Sequence, residues 1–360
     1  MTHYYSLYKI LTVLMVLQIT GCADLSYYLH SVKGQLSIMQ QTREIDEVLQ
    51  DESTQSKLRE QLTLVSRIRQ FAFTKLDLPE SDSYTEYADL GRPYVLKNLF
   101  ASAEFSIVLQ RWCYPIAGCA GYRGYFDEER LQGFKAKLEQ QGKDVYVANI
   151  PAYSTLGWFD DPVLNTFIYW PEYRLAGLIF HELAHQRLYI DGDTSFNESF
   201  ATAVQQTAVE KWLEESNQFA KLAAYKLNQK NRRMVFQLIE SGRQQLNLLY
   251  ESKLTDSLKR TKKYQLLQKL KNDYRQLSAK FTVKDGFSNW FNGQLNNAKL
   301  ASVSTYHSST GAFRNMLKYY QGDYSEFYRQ VEKISRMDKV DRYNCLDLWD
   351  LFIKKQIHCR

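Results

Sequence analysis

Beyond Pro171 the sequence has no proline: Pro79, Pro93, Pro115, Pro151, Pro162 and Pro171 are all six, and the stretch from residue 172 to Arg360 is therefore free to be mostly helical. Cysteine is scarce as well. The five present nowhere show the two-residue spacing typical of a thiolate-bound metal, so a site built from cysteines is not expected. The formal charge of +6 is small, and lysine and arginine are scattered among acids instead of lining one stripe, which leaves no basis for a nucleic-acid partner. Internal repeats and low-complexity tracts are missing too. Apolar and aromatic residues are plentiful, at 44% and 14% of 360, enough to bury a substantial core in one large or two intimate domains.

At the N-terminus His3 and Lys9 precede an apolar run over residues 10–19, too short for a stable membrane-spanning helix and suited to the central region of an export signal. The run ends in Ile19-Thr20-Gly21-Cys22, which resembles the bacterial lipobox. That resemblance implies removal of residues 1–21 as a lipoprotein signal peptide, diacylation of Cys22 and attachment of the body to a membrane through its lipid. The second mature residue would be Ala23 and not aspartate, which in that scheme favours a periplasm-facing position on the outer membrane over the inner; a short uncleaved anchor is the alternative. In an oxidising space the remaining Cys113, Cys119, Cys345 and Cys359 allow three pairings. Cys113 with Cys119 and Cys345 with Cys359 are expected, because each pair closes a local loop, against the alternative of four buried thiols.

Residues 22–94 read as an N-terminal helical segment, with helices over 35–50 and 56–71. Residues 95–215 are the expected catalytic core, where aromatic and glycine-bearing segments lead to the alternating Asp144–Ile150, a half-buried strand. Tyr153, Ser154, Thr155, Leu156 and Gly157 follow as an edge strand or loop. Residues 216–360 are expected to form a helical C-terminal region packed on that core. Apolar residues at Val235, Ile239, Gly242, Leu246 and Leu249, then at Leu267, Leu270, Tyr274 and Leu277, describe helices with one buried stripe. The polar interval 255–263 would turn them into an antiparallel hairpin.

The stretch 173–190 contains one breaker, Gly177, and takes apolar contacts from Leu175, Leu178, Ile179 and Leu183, so a buried helix is expected. On it His181 and His185 stand one turn apart on one face, where two imidazoles can grip a single zinc ion. Glu182 lies about 100° round from His181, near enough to reach a metal-bound water without ligating the metal. The alternative is a pair of helix histidines with no metal. A catalytic zinc takes three protein ligands and keeps one position for water. Glu198, near the start of a second helix running to about Trp212, is the expected third ligand, in the manner of gluzincins, whose usual spacing is longer. Two competitors stand beside it. Ser195 with Glu198 reads equally as a capping box, and Asp191 lies six residues after His185, where metzincin-like sites place their third ligand, although Leu188 stands where those need glycine. Asp193 is expected to accept from a histidine N–H.

Several segments together resemble the predicted-aminopeptidase family of proteobacterial lipoproteins. They are Cys113-Tyr114-Pro115-Ile116-Ala117-Gly118-Cys119, Tyr122-Arg123-Gly124-Tyr125-Phe126, residues 152–159 with Asp161-Pro162, the run 181–186, Gly192-Asp193-Thr194 with 196–201, and Asn296-Asn297-Ala298. The resemblance runs from near Cys22 to about residue 335 and implies a secreted zinc peptidase acting on peptides or proteins, with one zinc per chain. The expected fold is mainly α with a small β-sheet (α+β), a zincin-like catalytic core followed by a long helical C-terminal half. In the expected mechanism zinc activates a water and polarises the scissile carbonyl while Glu182 shuttles the proton. Tyr306, with His307 second, is the candidate donor to the developing oxyanion, against an ordinary buried tyrosine. The 153–157 segment would pair with the substrate backbone, against a core strand. No residue declares itself as the acid that would meet a free substrate amine. Two other classes compete: a lipid-anchored envelope binding or quality-control protein whose zinc site is latent or structural, and a structural lipoprotein with a coincidental motif.

Overall fold

The computed structural model describes residues 22–114, 118–152, 160–303 and 309–351. The expected signal segment 1–21, the side chain of Cys22, the segment 153–157, Tyr306, His307 and Cys359 lie outside the described residues.

Helix α1 (Cys22–Met39) ends where the Thr42 hydroxyl donates to the Met39 carbonyl at 3.0 Å. The chain then extends as β1 (Arg43–Glu44), pairs antiparallel with β2 (Glu86–Ala88), and re-enters helix as α2 (Ile45–Gln50). The single helix expected over 35–50 is therefore interrupted. Its interruption depends on a pairing with residues far along the chain, which helical periodicity cannot register. Helix α3 (Ser56–Leu76) runs past residue 71 and stops at Asp77, whose left-handed backbone (φ 51°) turns its N–H back onto the Ala72 carbonyl.

The strands come next and are few. β3 (Leu96–Ser102) is the centre of an antiparallel sheet, flanked by β6 (Arg123–Tyr125) and β7 (Asp144–Ile150), with Leu99 opposite Val147 and Phe100 opposite Tyr146. One face of this sheet packs on α4 (Glu128–Gln140) through Leu99, Ala101, Leu131 and Leu138. β4 (Trp112–Tyr114) and β5 (Gly118–Ala120) form a separate hairpin closed by the Cys113–Cys119 disulfide. β8 (Val163–Leu164) lies parallel to β2.

From Glu172 onward every described element is a helix: α5 (Glu172–Arg187), α6 (Thr194–Glu215), α7 (Phe219–Glu251), α8 (Asp256–Ser278), α9 (Ser288–Asn292), α10 (Asn297–Ser302), α11 (Thr310–Tyr319), α12 (Tyr324–Ser335) and α13 (Lys339–Asp350). The protein is thus mainly α with small sheets. Among the described residues no helix is long and apolar enough to cross a membrane.

These helices serve two separate cores. Helices α7 and α8 make an antiparallel hairpin whose stripe of Val235, Ile239, Leu246, Leu267, Leu270 and Tyr274 buries against α9 and α10. The turn falls earlier than the 255–263 interval, because the Thr255 hydroxyl accepts from the Leu258 N–H and starts α8 there. The hairpin is clipped to the sheet by the Asn296-Asn297 pair. Asn297 N–H donates to Asp144 Oδ2 (2.8 Å), its amide donates to the Glu104 carbonyl (2.9 Å), and Tyr250 Oη donates to Asn297 Oδ1 (2.7 Å). Asn296 Nδ2 reaches the Val145 carbonyl on β7 at 2.8 Å. By contrast α11, α12 and α13 return to the main core, where Phe313, Phe327 and Tyr328 pack on Phe196 and Phe200 of α6. Buried Cys345 on α13 is disulfide-bonded; its expected partner Cys359 is outside the described residues.

Candidate metal centre

The centre of that main core is the pair α5 and α6. Glu172, in the first turn of α5, accepts from Trp212 Nε1 (3.0 Å) and Gln218 Nε2 (2.9 Å), while at the far end His185 faces Glu198, so the two helices run antiparallel. Their apolar faces carry Ala176, Ile179, Phe180 and Leu183 against Ala201, Val204, Ala208 and Val209, all fully buried. Midway, Gly177 lets them approach closely: a Cβ there would lie 3.1 Å from Gln205 Nε2 and 3.4 Å from Val209 Cγ2.

Between the helices the chain must reverse in six residues, and three residues fix that turn. Gly192 takes the left-handed backbone (φ 75°). Asn197 holds both polar groups of Ile190, accepting from its N–H and donating to its carbonyl, each at 2.8 Å. Asp193 caps α6, accepting from Phe196 N–H, and its carboxylate is also gripped by Arg342 and by Tyr343 Oη (2.8 Å). Asp193 therefore has a different role from the expected one: it supports the helix terminus and does not hold a histidine. It, and not Ser195, takes the cap position of α6.

With the helices so placed, His181, His185 and Glu198 present ligand atoms all within 4.8 Å of one another, and no other such group occurs among the described residues. The two Nε2 atoms are 3.2 Å apart, with Glu198 oxygens 3.4 Å from that of His181 and 3.6 Å from that of His185. Ligands at zinc–nitrogen and zinc–oxygen lengths of about 2.0–2.2 Å around a tetrahedral ion would be separated by roughly 3.3–3.6 Å. The donor set fits zinc in kind as well as in spacing: two imidazoles and one carboxylate. His181 Nδ1 donates to Gln205 Oε1 at 3.2 Å, which leaves its Nε2 lone pair facing the other two ligands. Asp191, the alternative third ligand, is exposed in the turn and outside the group.

The electrostatics of the metal-free protein separate the two imidazoles. Burial disfavours the imidazolium of His181, but its bond to Glu198 and the charges of Glu182 and Glu198 outweigh that and raise its pKa. His185 has no such help. Burial, followed by the neighbouring charge of His181, pushes it down to about 4 against the opposing pull of Glu198. Its Nδ1 is buried with no hydrogen-bond partner among the described residues. Tyr189 sets its ring edge-on to His185, with centroids 6.0 Å apart.

Glu182 points to a different feature, a narrow cavity that it lines together with Tyr84, Asp161, Gln35, Leu164 and Phe167. Tyr84 is buried there in a left-handed backbone (φ 65°), and its phenol is held well above its ordinary pKa by burial and then by the charges of Glu182 and Asp161. Sequence reasoning assigned no role to Gln205, Tyr84 or Asp161. For Gln205 a signal existed, since it follows Glu198 by two helical turns and shares its face. Tyr84 and Asp161 come from separate loops; Asp161 stood in a segment of the family resemblance without a role, and Tyr84 carried no signal.

The family described as "Putative aminopeptidase" matches residues 26–346 of the chain. No curated protein and no solved structure matches it.

Proposed function

The chain belongs to the "Putative aminopeptidase" family, and from that premise we propose that it is a zinc-dependent peptidase with a zincin-like core, tethered by lipidated Cys22 to the periplasmic side of a bacterial envelope, in the outer membrane by its Ala23. The observation that carries the zinc reading is the convergence of His181, His185 and Glu198 from two antiparallel helices at separations suited to one tetrahedral ion. The Cys113–Cys119 bond supports a compartment outside the reducing cytoplasm.

In this mechanism His181, His185 and Glu198 hold the ion, which when bound supplies Lewis acidity toward the scissile carbonyl and lowers the pKa of a water. Glu182, next to His181 in sequence but turned about 100° round the helix, takes a proton from the attacking water and passes it to the leaving amine. Gln205 keeps His181 in the tautomer that offers Nε2. Asp193, held by Arg342 and Tyr343, fixes the start of the helix from which Glu198 projects.

The test is metal analysis of the gently purified mature protein together with hydrolysis of free and N-blocked peptides. One zinc per chain with turnover supports the proposal. Zinc without turnover would favour a binding or quality-control role, and a chain that takes up no zinc at micromolar levels would end the catalytic reading.

A further inference from the structure

Helix α1 begins at Cys22 with no linker between them, so whatever holds that cysteine at a membrane also positions the helix. One side of α1 is committed to the body of the protein. Tyr27 Oη accepts from the Gly124 N–H at 3.1 Å, Gly34 is pressed against the Phe126 ring where a Cβ would not fit, and Ile38 is buried in the main core. Gln35 and Ile38 line the narrow cavity that Glu182 also lines. The helix that carries the two histidines is therefore the layer behind α1.

Another side of α1 is left in water. Val32, Leu36 and Met39, spaced by four and then three residues, share one helix face and are 55%, 50% and 40% exposed. Single exposed apolar residues are ordinary, whereas three in register on one helix form a stripe, the kind of surface that a partner covers. Lys33, next in sequence to Val32, is exposed too, and residues 25–42 contain no aspartate or glutamate. An apolar stripe with a cationic neighbour and no acid suits the interface of an anionic bilayer. The bilayer is also the partner that the chain itself brings near, since the apolar run 10–19 ends just before α1 starts, and both a lipid on Cys22 and an uncleaved anchor place the membrane at its first turn. The posture follows from helix dimensions. At about 1.5 Å per residue, Val32 lies roughly 15 Å and Met39 roughly 25 Å along the axis from Cys22. Upright, the helix would hold the whole stripe in water; lying flat, it can sink those side chains into the boundary of headgroups and acyl chains, about 5–10 Å deep for such helices.

We propose that α1 lies flat on the membrane to which Cys22 is attached, with Val32, Leu36 and Met39 in the interface and Lys33 among anionic headgroups. The proposal rests on the tethering reading for what brings the bilayer to Cys22, but covering of the stripe can be tested apart from it. Because its inner side packs on the cavity that Glu182 lines, α1 then fixes the height and the facing of the metal centre above the bilayer. A lipid on a flexible linker would leave both free.

The experiment has two arms, both with vesicles of phosphatidylethanolamine and phosphatidylglycerol that include a phospholipid bearing a diazirine in its acyl chain. In the first, the mature protein isolated from membranes is reconstituted, irradiated and mapped by mass spectrometry, which also reads the acyl groups on Cys22. Val32, Leu36 and Met39 should take up label several-fold more than Leu248, Tyr264 and Val340, which are more exposed but lie elsewhere on the surface. Labelling of α1 no greater than at those three would overturn the proposal. In the second, the mature chain with Cys22→Ser, which can carry no lipid, is sedimented with the same vesicles. It should partition onto them measurably, and Val32→Ser, Leu36→Ser and Met39→Ser together should lower the partition coefficient by about tenfold or more with the circular dichroism unchanged. Equal partition of the two chains would overturn the proposal, and should the triple variant fold poorly the first arm, which needs no substitution, decides alone. A Cys22 without acyl groups beside stripe-dependent partition would remove the tether and leave the membrane face, whereas an acylated Cys22 beside an unlabelled α1 would do the reverse.

Discussion

Arg342, on the last described helix, forms a buried ion pair with Asp193, the residue that caps the helix bearing Glu198, across 149 residues of sequence. The two side chains are 9% and 4% exposed, and Arg342 also donates to the carbonyls of Ser335 (3.2 Å) and Met337 (2.9 Å). The C-terminal helices are thus part of the support of the candidate metal centre.

Removing one member of a buried pair leaves the other uncompensated. Arg342→Met is expected to destabilise the protein by about 3–5 kcal/mol, measured by chemical denaturation of the metal-free form. It should also weaken zinc uptake, because the start of α6 is loosened. A loss below about 0.5 kcal/mol, the range of an ordinary surface substitution, would show that the pair does not support the fold.

Ligand and base should separate in their phenotypes. Glu182→Gln is expected to keep one zinc per chain while hydrolysis falls by about 10²–10⁴-fold, whereas Glu198→Ala should lose tight zinc binding outright. Zinc content by mass spectrometry beside turnover distinguishes them. Full activity in Glu182→Gln would remove Glu182 from the mechanism.

The pH dependence of zinc uptake follows from the two imidazoles. In the metal-free protein the raised pKa of His181 means that it carries a proton at pH values somewhat above the ordinary imidazole range, and zinc must displace it. Lowering the pH through that region should weaken apparent affinity by about tenfold per unit from this group. His185, pushed down to about 4, adds a second proton only near that pH. Competition titrations with a chelator at several pH values read the slope. A flat profile down to pH 5 would contradict the assignment of His181 as a ligand.

Gln205 acts through His181. Gln205→Ala should weaken zinc affinity by about 10–100-fold with little change in fold, and Gly177→Val should do the same by driving a side chain into Gln205 and Val209. Unchanged affinity in both, in the same chelator competition, would mean that the tautomer of His181 is set elsewhere.

Asn297 is a structural clip. Asn297→Ala strips hydrogen bonds from Tyr250 Oη and the Glu104 carbonyl at a buried junction, and a loss of about 1–3 kcal/mol is expected. Faster amide exchange confined to α7 and α8 would locate the effect, and faster exchange spread evenly over α5 and α6 would contradict it.

Sequence alone determined whatever repeats along a single element. The one-turn spacing of His181 and His185, the alternation of Asp144–Ile150 and the stripe of the α7–α8 hairpin follow from helix and strand geometry, which acts between near neighbours. Tertiary structure decided everything that needed two distant segments to meet: the β1–β2 pairing that splits an expected helix, the closure of Glu198 and Gln205 onto α5, the Arg342 grip on Asp193, and the placing of Tyr84 and Asp161 beside Glu182. Those contacts depend on burial, close packing and the satisfaction of polar groups across the whole core, and a residue's neighbours in sequence carry no record of them.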